Sequence, residues 1–230
     1  TRMEERYLLT SGASAGLAAA FNAPLAGVIF ALEELHRNFS IMVLLPSMAA
    51  AFTATIISRA IFGRATIFDI PDLQLLPISY YGIVILVALA SGLAGVIFNW
   101  GLLNIGRFYS LPCFKRPVQK IAFAIICAGI LGYFLPEVLG GGNDLINHLA
   151  KAPVSLQLLL IFLAGKLIFT LISYGCGVPG GFFLPMLVIG ALCGSICAQM
   201  LIMLGWIEPA YATNIMVVAM AALFASSVRE

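Results

Sequence analysis

Charge is what this sequence has least of. Its 230 residues include 12 Lys or Arg, 10 Asp or Glu and two His, so only 10% are charged while 62% are hydrophobic. Soluble domains carry about 25% charged and about 45–50% apolar residues. With a mean hydropathy of +1.06, the chain cannot cover a water-facing surface, and a soluble fold is excluded. A net charge of +2 and no basic cluster interleaved with aromatics exclude a nucleic-acid groove. No CxxC occurs. The five cysteines, Cys113, Cys127, Cys176, Cys193 and Cys197, are odd in number and lie mostly in apolar runs, so no disulfide framework is read. With only His36 and His148 to assist, the one metal arrangement left is Cys193 with Cys197 at i,i+4, for which buried free thiols are the commoner explanation. No HExxH, P-loop or Ser/His/Asp set stands in motif context, and Ser173 with His148 offers nothing specific. Neither an enzyme nor a metal or cofactor is expected.

Long uncharged runs are what the chain has instead. They cover 7–32, 38–58, 73–106, 121–136, 152–165, 167–207 and 209–228, where a spanning helix needs about 20 apolar residues. Asn22-Ala23-Pro24 breaks the first run, because proline cannot donate an intrahelical bond and suits a new helix start. Helices are therefore predicted over 4–20 and 24–35. The stretch 175–181, GCGVPGG, divides the longest run into helices over 155–174 and 182–204 around an irregular loop. Further helices are predicted over 38–58, 79–109, 117–135 and 213–227, with a short one over 143–149 at a membrane edge. The fold class expected is all-α and polytopic: eight or nine unequal helices, no strand. Orientation follows from loop charge. The loop 106–120 holds Arg107, Lys115, Arg116 and Lys120 without an acid, and Arg37 follows the 24–35 helix. Placing both on the cytoplasmic side puts Asp69, Asp72, Glu137 and Asp144 outside. The first six residues mix both signs, and no signal peptide is expected.

Unequal, broken helices suggest an internal repeat. Residues 15–23, AGLAAAFNA, echo 222–230, ALFASSVRE, although small-residue helices resemble one another easily. Gly12, Ala13, Ser14, Ala15, Gly16 and Ala18 to Ala20 also have a packing explanation, since small residues let helices approach closely in lipid.

Three features carry possible chemistry. Glu33-Glu34 ends the 24–35 helix. Ionisable groups near the membrane interior mark ion or proton paths, whereas interfacial acids are simply solvated. About 100° apart on a helix, at most one of the two faces inward. The stretch 175–185, GCGVPGGFFLP, places irregular backbone where it is tolerated only if buried in protein or lining a wet cavity. The helix that follows opens at Phe182, and a helix N-terminus is an anion site; glycines let an ion approach the backbone. A hinge or tight turn is the alternative. Lys166 interrupts an apolar run and snorkels, pairs with an acid or adds positive potential to an anion route; a structural role is favoured.

These residues resemble a known family. SGASAGLAAAFNAPLAGVIFALEEL over 11–35 is similar to the central segment of the CLC chloride channels and proton/chloride antiporters. GVPGGFFLPML over 177–187 resembles that family's GxFxP anion motif, here Gly181-Phe182-Phe183-Leu184-Pro185, with Gly177, Pro179 and Gly180 before it. AMAALFASSVRE over 219–230 resembles a later segment. The resemblance covers essentially the whole chain. It implies an inverted-repeat bundle of tilted and partial helices, in a homodimer whose protomers each have a pore. It implies that the backbone N–H groups of Phe182 and Phe183, with Gly181 beside them, coordinate chloride, the transported ligand. Glu34 matches the internal proton-transfer glutamate and Glu33 its neighbouring acid; Asn22 and Pro24, at the helix break, are structural residues of the 11–35 stretch. An acid at 34 leans toward antiport rather than a passive channel. The family's GSGIP-type and GREGP motifs and its chloride-coordinating tyrosine have no match here. The expectation is a single transmembrane domain over 1–230, the central part of a larger one, in a multi-pass protein of a bacterial inner membrane. Chloride and protons, the lipid bilayer and a second protomer are the expected partners, and the anion selected stays open.

Overall fold

The computed structural model describes the chain apart from residues 1, 38, 64–66, 69, 71–72, 115, 153 and 229–230 and the side chains of Arg2 and Met3. Asp69, Asp72 and Lys115, used above for orientation, lie outside the described residues, as do Arg229 and Glu230 of the echo. The chain divides into two units, Thr1–Asp69 and Ile70–Glu230. Nine α-helices and no strand are found among the described residues.

The first unit holds α1 (Arg2–Phe21), α2 (Pro24–Phe30) and α3 (Ile41–Phe62). Asn22 ends α1 in the left-handed conformation (φ 54°), which asparagine adopts more readily than most residues. The Ala23 N–H donates back to the Ala18 carbonyl at 3.2 Å, Arg59 Nε–H of α3 donates to Asn22 Oδ1, and Pro24 opens α2 at its first position. Gly27 is the crossing point of α1 and α2: a Cβ there would stand 2.8 Å from the Ser14 carbonyl oxygen and 2.9 Å from the Ala18 nitrogen. Between α1 and α3, buried Ser14 donates to the Ser47 carbonyl at 3.4 Å. Ala18, Val28, Leu32, Val43 and Ala51 form the core. Close approach thus runs through Ser14, Ala18 and Gly27, while a Cβ at Gly12 or Gly16 would meet nothing within 4 Å.

One correction concerns the helix predicted over 24–35. It is α-helical only to Phe30; Ala31–His36 forms a π turn, and Arg37 follows in the left-handed conformation (φ 53°). Both ends of the segment are held, at Gly27 against α1 and at His36, whose ring lies 5.6 Å from that of Tyr7. The wider turn takes up the residues between them.

The second unit holds α4 (Tyr81–Phe108), α5 (Pro117–Phe134), α6 (Asn143–Lys151), α7 (Leu156–Gly175), α8 (Phe183–Met203) and α9 (Ala212–Val228). The most deeply buried is α8, whose Met186, Ile189 and Cys193 pack with Phe98 of α4 and Leu223 of α9. Its Gly190 and Gly194, four apart, let α9 come to backbone contact: a Cβ at Gly190 would lie 2.8 Å from Met220 Cα, and one at Gly194 2.6 Å from Met216 Cα. Small residues at this spacing are how apolar helices associate in lipid. Tyr109, just past α4, is 2% exposed and donates its hydroxyl to the Ile172 carbonyl of α7 at 2.8 Å. Among the described residues, six helical stretches are long and apolar enough to cross a membrane: Ile41–Phe62, Ile78–Phe108, Pro117–Phe134, Leu156–Gly175, Phe183–Met203 and Pro209–Val228. The chain is a multi-pass integral membrane protein with the all-α architecture expected.

Candidate anion site and acidic turn

In the second unit, α7 stops at Gly175, and the chain crosses to α8 through Gly177 in the left-handed region (φ 83°). The second helix starts one residue later than expected, at Phe183, with Phe182 as its N-cap. The first helical bond runs from the Met186 N–H to the Phe182 carbonyl at 3.0 Å. Pro185 sits in the first turn, where its missing N–H costs nothing. An N-cap Ser or Asp would offer a side-chain oxygen to the first N–H groups; the ring of Phe182 has none to offer. The positive end of the helix dipole is therefore left without a side-chain acceptor at its cap.

That end borders a cavity of about 580 Å³ lined by Pro179, Gly180, Gly181, Phe182, Leu184 and Pro185, by Lys166, Thr170, Ser173 and Tyr174 of α7, and by Gly140 and Gly141. The two phenylalanines part company here. Phe182 meets the Tyr174 ring edge-on at 5.6 Å on the cavity wall, while Phe183 turns into the core against Phe224 of α9 at 5.3 Å. Phe183 itself is not among the residues that line the cavity. Gly177 precedes the lining residues as the turn that aims them.

Lys166 is 1% exposed. It does not snorkel, and it meets no acid among the described residues; its ammonium donates to the Val138 carbonyl at 2.9 Å and the Gly140 carbonyl at 2.8 Å. The structural role favoured from the sequence is the one observed, with carbonyls as partners. Gly140, Gly141 and Thr170 escaped the sequence reading, and Ser173 was weighed there only as a nucleophile beside His148. The triple glycine 140–142 was the available signal for the first two; the other two are α7 residues whose side only packing reveals.

Glu33 and Glu34 belong to the first unit, in the π turn. Glu33 is exposed and Glu34 half-buried, so the two differ in surroundings, as adjacent residues on a helix must. Cys193 lies in the core of the second unit, and no group of three or more metal-ligating side chains gathers among the described residues.

Comparison with known proteins gives three findings. The family described as Voltage gated chloride channel matches residues 1–230. The H(+)/Cl(-) exchange transporter ClcA of Vibrio campbellii is 35% identical over 96% of this chain and 48% of its own length, and that of Salmonella agona is 35% identical over the same shares. Among solved structures, a slow cyanobacterial Cl-/H+ antiporter superposes with a TM-score of 0.79 at 25% identity, covering 99% of this chain and 60% of that one. A CLC-type fluoride/proton antiporter does so with 0.79 at 26%, covering 99% and 56%. The chain spans about half the length of the curated relatives it matches.

Proposed function

This chain belongs to the voltage gated chloride channel family, and we propose that it carries the anion site and the internal proton path of a chloride/proton antiporter. The observation that carries the reading is the start of α8: a helix N-terminus with a phenylalanine at its cap, opening onto a cavity lined by Gly180 and Gly181. A dehydrated chloride is held there by the backbone N–H groups of Phe182 and Phe183, and Gly181 lets it come close. Backbone amides bind without a full counter-charge, so the ion is held weakly enough to leave. Gly177, Pro179, Gly180 and Pro185 shape the approach. Glu34 relays the proton, with Glu33 assisting it from the exposed side of the turn, and Asn22 and Pro24 fix the break from which that turn is hung. A carboxyl in this role must pass between charged and neutral forms. The names of the relatives support exchange of chloride against protons.

The proposal extends to a single transmembrane domain, of which these residues are the central part, working as a homodimer in the inner membrane of a bacterium. No enzymatic role or cofactor is part of it. The test uses the whole protein that carries this chain, in liposomes. Glu34→Gln is expected to abolish proton pumping while chloride efflux continues; proton pumping at the wild-type rate counts against the assignment. A reversal potential that ignores a pH gradient would show a passive channel instead. The likeness to a fluoride/proton antiporter favours one second reading, fluoride as the ion carried, and efflux of the two halides compared with ion-selective electrodes separates them.

A further inference from the structure

Lys166 and the glycines 140–142 belong to no motif used so far, yet Lys166, Gly140 and Gly141 border the cavity at the start of α8. The ammonium is tied to the carbonyls of Val138 and Gly140. One turn further along α7, Thr170 donates to the Lys166 carbonyl at 2.7 Å. The segment so tied runs on to α8. A Cβ at Gly141 would stand 3.2 Å from Leu184 Cδ1, and one at Gly142 would stand 2.7 Å from Val188 Cγ2 and 3.2 Å from Lys166 Nζ. Gly140 and Gly142 are left-handed, at φ 63° and 86°, so side chains are disfavoured there by conformation as well as by space. Leu184 directly follows Phe183 in the first turn of α8. Contact is therefore continuous from the buried ammonium, through the glycine segment, to the turn that meets the cavity. The segment is also thin: Gly140 and Gly141 line both this cavity and a polar hollow of about 410 Å³ that holds Glu137, Asn143, Asp144 and His148.

Carbonyl oxygens are the negative ends of peptide dipoles, and on the wall of an anion cavity they repel the ion. An ammonium has donors and no acceptor, so bonding both oxygens satisfies them and gathers their negative ends onto itself. A buried cation in this chain thus has a use that a neutral residue of the same length lacks. We propose that Lys166 is a positioning residue of the anion site: it clamps residues 138–140 so that Gly141 seats Leu184 and the first turn of α8, and it screens the Gly140 carbonyl oxygen on the cavity wall from the bound anion. This rests on reading the cavity as the anion site.

The test is calorimetric titration of sodium chloride into the whole protein carrying this chain, purified free of chloride in detergent. Lys166→Met is expected to weaken chloride binding about tenfold, the scale of one lost hydrogen bond to a charged group. Lys166→Arg keeps the charge and the donors and is expected to restore most of the affinity. Gly141→Ala leaves the ammonium and its bonds in place, presses on Leu184, and is expected to weaken chloride binding as well. If the lysine only stabilised the fold, Lys166→Met would lower the unfolding temperature and leave the chloride Kd alone. Lys166→Met that elutes as a single species with a Kd within about twofold of wild type overturns the clamp. If that variant does not purify, Gly141→Ala decides, and an unchanged Kd overturns it equally. Wild-type protein with no saturable chloride heat removes the anion reading itself, a separate failure.

Discussion

At the scale of single residues, the closest contacts in the second unit are made by the smallest ones. Gly194 faces the Met216 backbone of α9, and the Cβ of an alanine there would sit 2.6 Å from Met216 Cα. Neither helix can yield locally, so Gly194→Ala should cost about 1–3 kcal/mol, the usual penalty of overpacking, read as a lower thermal midpoint of the whole protein in detergent. Tyr109→Phe removes the hydroxyl that bonds the Ile172 carbonyl. It should cost about 1–3 kcal/mol for a buried acceptor left unsatisfied, and an unshifted midpoint would show that the carbonyl finds another donor. Close packing of small residues was legible in the sequence as a principle, from the run 12–20. Which glycines serve it was not. A Cβ at Gly12 or Gly16 would meet nothing within 4 Å, while Gly27, Gly190 and Gly194 carry the crossings, because composition says how near helices can come and not which face turns inward.

At the scale of elements, punctuation was readable and pitch was not. Asn22-Ala23-Pro24 ended one helix and began the next where expected, since proline and a left-handed asparagine act through local backbone sterics. The π turn at Ala31–His36 has no such mark: ALEELH is made largely of good helix formers, and propensity does not separate one helical pitch from another. It arises from what holds the two ends, contacts that lie outside the segment. The Asn22 turn supplies its own prediction. Asn22→Ala forces an alanine into the left-handed region, at about 1–2 kcal/mol, and also removes the Arg59 bond. Asn22→Gly loses the same side chain but tolerates the left-handed backbone, so it should destabilise less, and equal thermal midpoints for the two variants would mean that the conformation at 22 carries no strain.

For the whole molecule, the scarcity of charge already implied a polytopic helical protein, read as seven uncharged runs; which six stretches among the described residues are helices of spanning length is seen only in the structure. The cavity did not follow, because its walls meet across distances in sequence that no periodicity reports: residue 140 with 166, and 141 with 184. On the reading proposed, liposomes containing only these 230 residues should release no chloride, whereas those containing the whole protein should, as a chloride electrode would record; efflux from the short chain would mean that this half suffices. The sealed lysine also gives the protein a built-in chemical footprint. An amine-reactive reagent should modify Lys151, exposed at the end of α6, and pass over Lys166 for as long as the second unit is intact. The fraction of peptide labelled at 166, counted by mass spectrometry, would then measure directly how many molecules in a preparation have lost their native core.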